Sequence, residues 1–184
     1  MNRNDDSIVA SQLGRIPRGT WRVVARCTAG APTVIAVAPD LGGGEPFPTT
    51  FWLTCPTLSA AVHDMESAGE HTRWAERVAR EPALAAAVLA ADARYRDARA
   101  EEGGGADPCS GVGTAGQRDP LAVKCLHARL AAFLAGVPDP VGEAVASRLA
   151  RLTATCAEDR CLGPVQAADP SRHDGDEHGQ HAPR

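Results

Sequence analysis

Trp21-Arg22-Val23-Val24-Ala25-Arg26-Cys27, then Ala29-Gly30-Ala31-Pro32, then Thr33-Val34-Ile35-Ala36-Val37, is the stretch that decides the fold. Two runs enriched in β-branched residues flank a Gly/Pro turn, the pattern of a hairpin or of two neighbouring strands. Working outward, Pro39 to Pro48 carries three glycines and three prolines. Excess backbone freedom and missing N–H donors make it a loop. Thr49 to Thr54 then returns as a third strand, given bulk by Phe51, Trp52 and Leu53. On the amino-terminal side, residues 1–20 read as an irregular lead-in punctuated by Gly14, Pro17 and Gly19, with 1–11 as a flexible terminus.

Beyond the strands the period changes to that of helices. Pro56 suits a first helical position, and Leu58, Ala61, Val62 and Met65 recur on one face until Gly69. A second helix is expected from His71, interrupted at Glu81-Pro82, and a third, alanine-rich one from Pro82 to about Arg99. Residues 101–119 are glycine-rich and read as a mobile loop. A helix capped by Asp119 and entered at Pro120 is expected to run to Ala135, with Gly136 as its stop. After Val137-Pro138-Asp139-Pro140 a last helix spans Val141 to Thr155, and 156–184, dominated by Asp, His, Gly and Pro, reads as a disordered tail. The expected fold class is therefore α+β: a small amino-terminal hairpin or three-stranded sheet on a mainly helical body, forming a single domain over 12–155.

Composition limits the functions that suit this fold. At 184 residues the chain fits one domain and a tail, and 43% hydrophobic but only 4% aromatic residues imply a core of Ala, Val and Leu. A net charge of −4 gives no positive field for nucleic acid. Arg3, Arg15, Arg18, Arg22 and Arg26 read as a solvated face in preference to an anion site. No apolar run reaches membrane-spanning length and the first residues lack the apolar centre of a signal peptide, so the expected location is the cytoplasm, without membrane insertion. In that reducing compartment six cysteines point to metal binding, redox chemistry or buried thiols before disulfides.

Thiolate sulfur and imidazole nitrogen are the donors zinc favours, and Cys27, Cys55, Cys125 and His127 are the candidate ligands. Their spacing is not that of a zinc ribbon. On an ideal helix, positions 125 and 127 would stand about 200° apart, which separates them as ligands to one ion unless the helix begins later or is distorted. Cys55, at a helix amino terminus, has a second meaning as a reactive thiol, with His127 as its base. Gly111-Val112-Gly113-Thr114-Ala115-Gly116 matches G-x-G-x-x-G but follows a helix and a glycine-rich linker where a dinucleotide site needs a strand. Cys109 lies in that loop and reads as incidental. Cys156 and Cys161 with His173, His178 and His181 offer donors without a scaffold.

Several words occur together in order: Gln12-Leu13-Gly14-Arg15, Arg26-Cys27, Pro46-Phe47-Pro48-Thr49, Trp52-Leu53-Thr54-Cys55-Pro56 and Lys124-Cys125-Leu126-His127-Ala128. Over residues 12–150 they resemble a largely actinobacterial family of uncharacterised proteins, domain of unknown function 501. The resemblance implies a small cytoplasmic protein whose genes often lie near those of a septum-formation initiator and an exopolyphosphatase-like enzyme. It implies no activity, but its motifs contain Cys27, Cys55, Cys125 and His127.

The leading expectation is a metal-binding protein, with zinc before an iron–sulfur cluster because mixed thiolate and imidazole donors suit zinc. Three converging ligands would leave a position for activated water and hydrolysis; four would make a structural site. The competing expectation is a non-enzymatic interaction protein of the division or envelope machinery with its cysteines merely buried. Enzyme status and oligomeric state stay open.

Overall fold

The structure is a computed structural model and describes residues 3–154, with side chains over 5–150. β1 (Trp21–Arg26), β2 (Pro32–Val37) and β3 (Phe51–Leu53) form an antiparallel meander in the order β1-β2-β3. Gly30, at φ +80°, makes the first turn, where its N–H donates to the Cys27 carbonyl. Val34 pairs with Leu53 and Ile35 with Val23 and Trp52, so the central strand is buried on both faces.

Alternation along the strands sorts two apolar clusters. Val34, Ala36, Phe51 and Leu53 face the helical body, whereas Ile35, Val37, Trp21 and Trp52 face the opposite side. That second face is covered by α1 (Arg3–Leu13), which corrects the irregular lead-in expected from the sequence. Its apolar signal is thin, because Ile8 and Val9 are its only fully buried apolar residues among those described, with Leu13 partly buried, and most of the rest are polar. Tertiary bonds complete its attachment. Arg26 clamps Asp5 through two bonds of 2.8 and 2.9 Å, and Gln12 Nε2 donates to the Pro32 carbonyl at 2.9 Å.

The helical body comprises α2 (Pro56–Ser67), α3 (Glu70–Arg80), α4 (Pro82–Glu102), α5 (Leu126–Leu134) and α6 (Pro140–Ala154). Pro56 and Pro82 open α2 and α4, and Gly69, at φ +79°, separates α2 from α3. One helix departs from expectation. Asp119 caps only a turn, accepting from the Leu121 amide at 2.9 Å, and the chain runs extended through buried Val123 to Cys125 before α5 begins at Leu126. Pro120 therefore stands in that turn, not in a helix. α5 lies against β3 and α6, at the centre of the body, with Leu126, Leu130 and Ala131 fully buried.

The glycine-rich connection after α4 is anchored by a buried arginine. Arg99 grips Asp107 with two bonds of 2.9 and 2.8 Å and also donates to the carbonyls of Pro48, Cys109 and Val112. Gly113 is required there because a Cβ would collide with the buried Asp92 carboxylate, which accepts from the Thr114 amide. Gly111 to Gly116 thus packs against α4 through a single 3-10 turn, without a strand before it. Among the described residues no helix is long and apolar enough to cross a membrane. Thr155, where the last helix is expected to end, Cys156, Cys161 and the three tail histidines lie outside the described residues.

Candidate metal centre

The polar cluster of interest forms where the second half of α2 meets the start of α5. The late start of α5 creates it. Cys125 occupies the N-cap in extended conformation, φ −148° and ψ 119°, while His127 lies one residue inside the helix. The helical projection that separated the two side chains therefore does not apply, and both reach the same point. Glu66, from the last turn of α2, completes the group: one donor atom from each of Glu66, Cys125 and His127 lies within 4.8 Å of the other two.

Each of the two oxygens of Glu66 has its own task. Oε1 accepts from the Leu126 amide at 2.6 Å, one of the N–H groups that the start of a helix leaves without an internal partner. Oε2 faces His127 Nδ1 at 3.2 Å. The opposite ring nitrogen, Nε2, donates to the Ser59 carbonyl at 3.0 Å, so about two turns of α2 supply both the carboxylate and the acceptor that orients the imidazole. All three donor residues are half-buried, which leaves the cluster in contact with solvent.

Electrostatics follow from this arrangement. The imidazole is pushed up to about 9: the Cys125 sulfur beside the ring contributes most, burial opposes, and the Glu66 carboxylate and Ser59 carbonyl add to the rise. At neutral pH the ring is an imidazolium with both N–H groups directed at oxygen. For Glu66, burial alone would raise the carboxyl, but the Leu126 amide and the His127 charge outweigh it and hold it below the ordinary range. The result is a carboxylate and an imidazolium side by side with a sulfur.

Of the four residues expected to ligate, Cys125 and His127 come together, and Cys27 and Cys55 lie outside the Glu66 group. Cys27 sits in the turn after β1, its amide donating to the Ala31 carbonyl at 3.0 Å. Cys55 is the N-cap of α2 and only 3% exposed, packed in the main core. Sequence reasoning missed Glu66 because it lies 59 positions before Cys125 and carries no thiol or imidazole to mark it. The available signal was its heptad spacing from Ser59, which puts the two on one face of α2.

With this geometry in place, comparison with known proteins matches residues 23–147 to the family described as Protein of unknown function (DUF501). The chain belongs to that family. The matched span contains Ser59, Glu66, Cys125 and His127, together with Cys27 and Cys55. No curated protein and no solved structure matches.

Proposed function

We propose that this protein binds a divalent metal ion, zinc in preference to others, through Glu66, Cys125 and His127. The observation that carries the reading is the division of labour around the imidazole. Nε2–H is committed to the Ser59 carbonyl, the outer hydrogen bond that typically fixes the tautomer of a metal-bound histidine. That leaves Nδ1 aimed at Glu66 Oε2, where a cation can replace the Nδ1 proton. The fixed Oε1 bond to Leu126 orients the carboxylate in the same way. One sulfur, one nitrogen and one oxygen suit zinc, whereas an iron–sulfur cluster would require several thiolates from this one place.

Three protein donors at a half-exposed position resemble catalytic zinc sites, which hold three ligands and leave the next position to water or substrate. Zinc bound there would supply Lewis acidity and an acidified water, and the reaction class it favours is hydrolysis. Glu66 and His127 would orient the ion, and the chain bonds of Ser59 and Leu126 would keep both from turning away.

Metal content of the untagged protein, purified under reducing conditions, tests the reading, with zinc and cobalt titration of chelator-treated protein beside it. Wild type should bind one equivalent of zinc, and cobalt should produce a thiolate-to-metal charge-transfer band. Glu66→Gln, Cys125→Ser and His127→Gln should each weaken zinc binding at least tenfold, whereas Cys27→Ser and Cys55→Ser should not. Wild-type protein that neither contains nor takes up metal would sink the proposal.

One observation favours a second reading: the sulfur of Cys125 is the largest influence on the neighbouring imidazolium. A thiol at the N-cap of α5 beside the His127 ring has the placement of a nucleophile or redox thiol that works without metal. Metal-free protein in which iodoacetamide labels Cys125 ahead of Cys27, and in which His127→Gln removes that selectivity, would favour it.

A further inference from the structure

We propose that the face of the sheet opposite the metal centre holds a docking pocket for a protein segment that presents a branched aliphatic side chain beside a carboxylate. The pocket is a cavity of about 80 Å³ floored by Val37, Leu41, Phe47 and Trp52, with Arg15 and Arg18 at its mouth. Its size selects the kind of occupant. Pockets for whole small molecules run from about 300 to 1,000 Å³, and a cavity of about 150 Å³ holds benzene. This one takes an isopropyl or isobutyl group and not a cofactor.

Charge at the mouth adds the second requirement. Arg18 is paired with Glu45, but Arg15 has no carboxylate partner among the described residues. Its guanidinium lies over the Trp52 ring, 4.9 Å from the centroid, where stacking holds the group in place with its edge turned to solvent. Trp52 is itself fixed by donation to the Thr49 carbonyl at 2.8 Å. An immobilised cation beside an apolar hole recognises a carboxylate placed next to an aliphatic group.

Size also favours a protein segment over a whole small molecule, because the cavity seats one side chain and leaves the rest of its bearer to run over the surface past the two exposed arginines. Ile16, between those arginines in sequence, is 76% exposed and adds apolar surface to the same segment of chain. The contrast with the wider groove near Asp40, Glu102 and Asp107 is informative. There each carboxylate already accepts from the chain itself, from the Gly42 amide, Arg22 and Arg99. The proposal is independent of the metal reading.

Selection of a random heptapeptide display library on the full-length protein tests it. Recovered peptides should share Leu, Ile or Val adjacent to Asp or Glu, and replacing that aliphatic residue by Ala should weaken binding at least tenfold. Arg15→Glu, at an exposed position, should weaken binding at least tenfold without altering the circular dichroism spectrum. It should recover peptides whose acidic residue is exchanged for Lys. Peptides lacking the aliphatic–acidic pair, or binding Arg15→Glu as tightly as wild type, would overturn the proposal. So would three other occupants of the pocket: 4-methylpentanoate competing as well as the peptides, a synthetic peptide of residues 155–184 displacing them at equal concentration, or Arg15→Glu converting a dimer to monomer in sedimentation.

Discussion

Two polar clusters in this molecule are built from similar parts and differ in closure. Around Arg99 the guanidinium is fully buried, the oxygens it meets come from the connection after α4 and from Pro48 just before β3, and Tyr95 covers it at 5.7 Å. Around His127 the donors converge from two helices, remain half-exposed and leave one direction to solvent. A closed cluster spends all of its hydrogen-bonding capacity on the fold. An open one has capacity for a ligand. The lesson is that unusual polar residues locate function only where their geometry is incomplete without a further group.

The largest expected effect separates the two by stability alone. Arg99→Met leaves Asp107 and three carbonyls facing a side chain that cannot donate. Removing one partner of a buried pair costs about 3–5 kcal/mol. Glu66→Gln, at the half-exposed cluster, keeps an acceptor for the Leu126 amide and should cost about 1–2 kcal/mol. Urea denaturation of both variants checks the contrast, and equal costs would break it.

A second prediction concerns what each cluster gains from a ligand. Zinc in hundredfold excess over its dissociation constant should stabilise wild type by about 2.7 kcal/mol. Arg99→Met should keep most of that increment, because the altered cluster lies outside the donor group. Cys125→Ser should lose it. Thermal denaturation with and without zinc reads both, and an increment surviving in Cys125→Ser would place the ion elsewhere.

Much of the fold was legible in residue order because its elements carry strong local signals: β-branched runs around Gly30, proline at the starts of α2 and α4, and Gly69 between helices. α1 was not legible, since its docking depends on Ile8, Val9 and the distant Arg26, and a helix so polar shows no clear apolar face. The start of α5 was misplaced for a related reason. Asp119-Pro120 is a good local helix opening, but Val123 is drawn into the core and Glu66 caps Leu126 from another helix. That one tertiary bond also hid the third member of the candidate site. Cys125 and His127 were visible as residue types, whereas Glu66 acquires meaning only when α2 and α5 meet.

The smallest expected effect is the pH dependence of metal-free protein, where the two clusters act on opposite limbs. Burial would raise the Asp107 carboxyl, but Arg99 and the Cys109 amide outweigh it and hold it below the ordinary range. Its contribution is present above an unfolded value of about 3.9 and is lost as pH falls through the folded one. His127 has the opposite sign, being raised to about 9. Its contribution is complete below an unfolded value of about 6.5. Above that the native state holds the extra proton, so stability falls as pH climbs through 9. Solvent at the half-exposed ring screens the effect to roughly 1 kcal/mol across that window. Urea denaturation between pH 3 and 10, in the presence of chelator, should therefore show His127→Gln flattening only the alkaline limb and Asp107→Asn only the acid one. An alkaline slope that persists in His127→Gln would mean that the imidazolium is not held by Cys125, Glu66 and Ser59, and the orientation on which metal binding depends would fall with it.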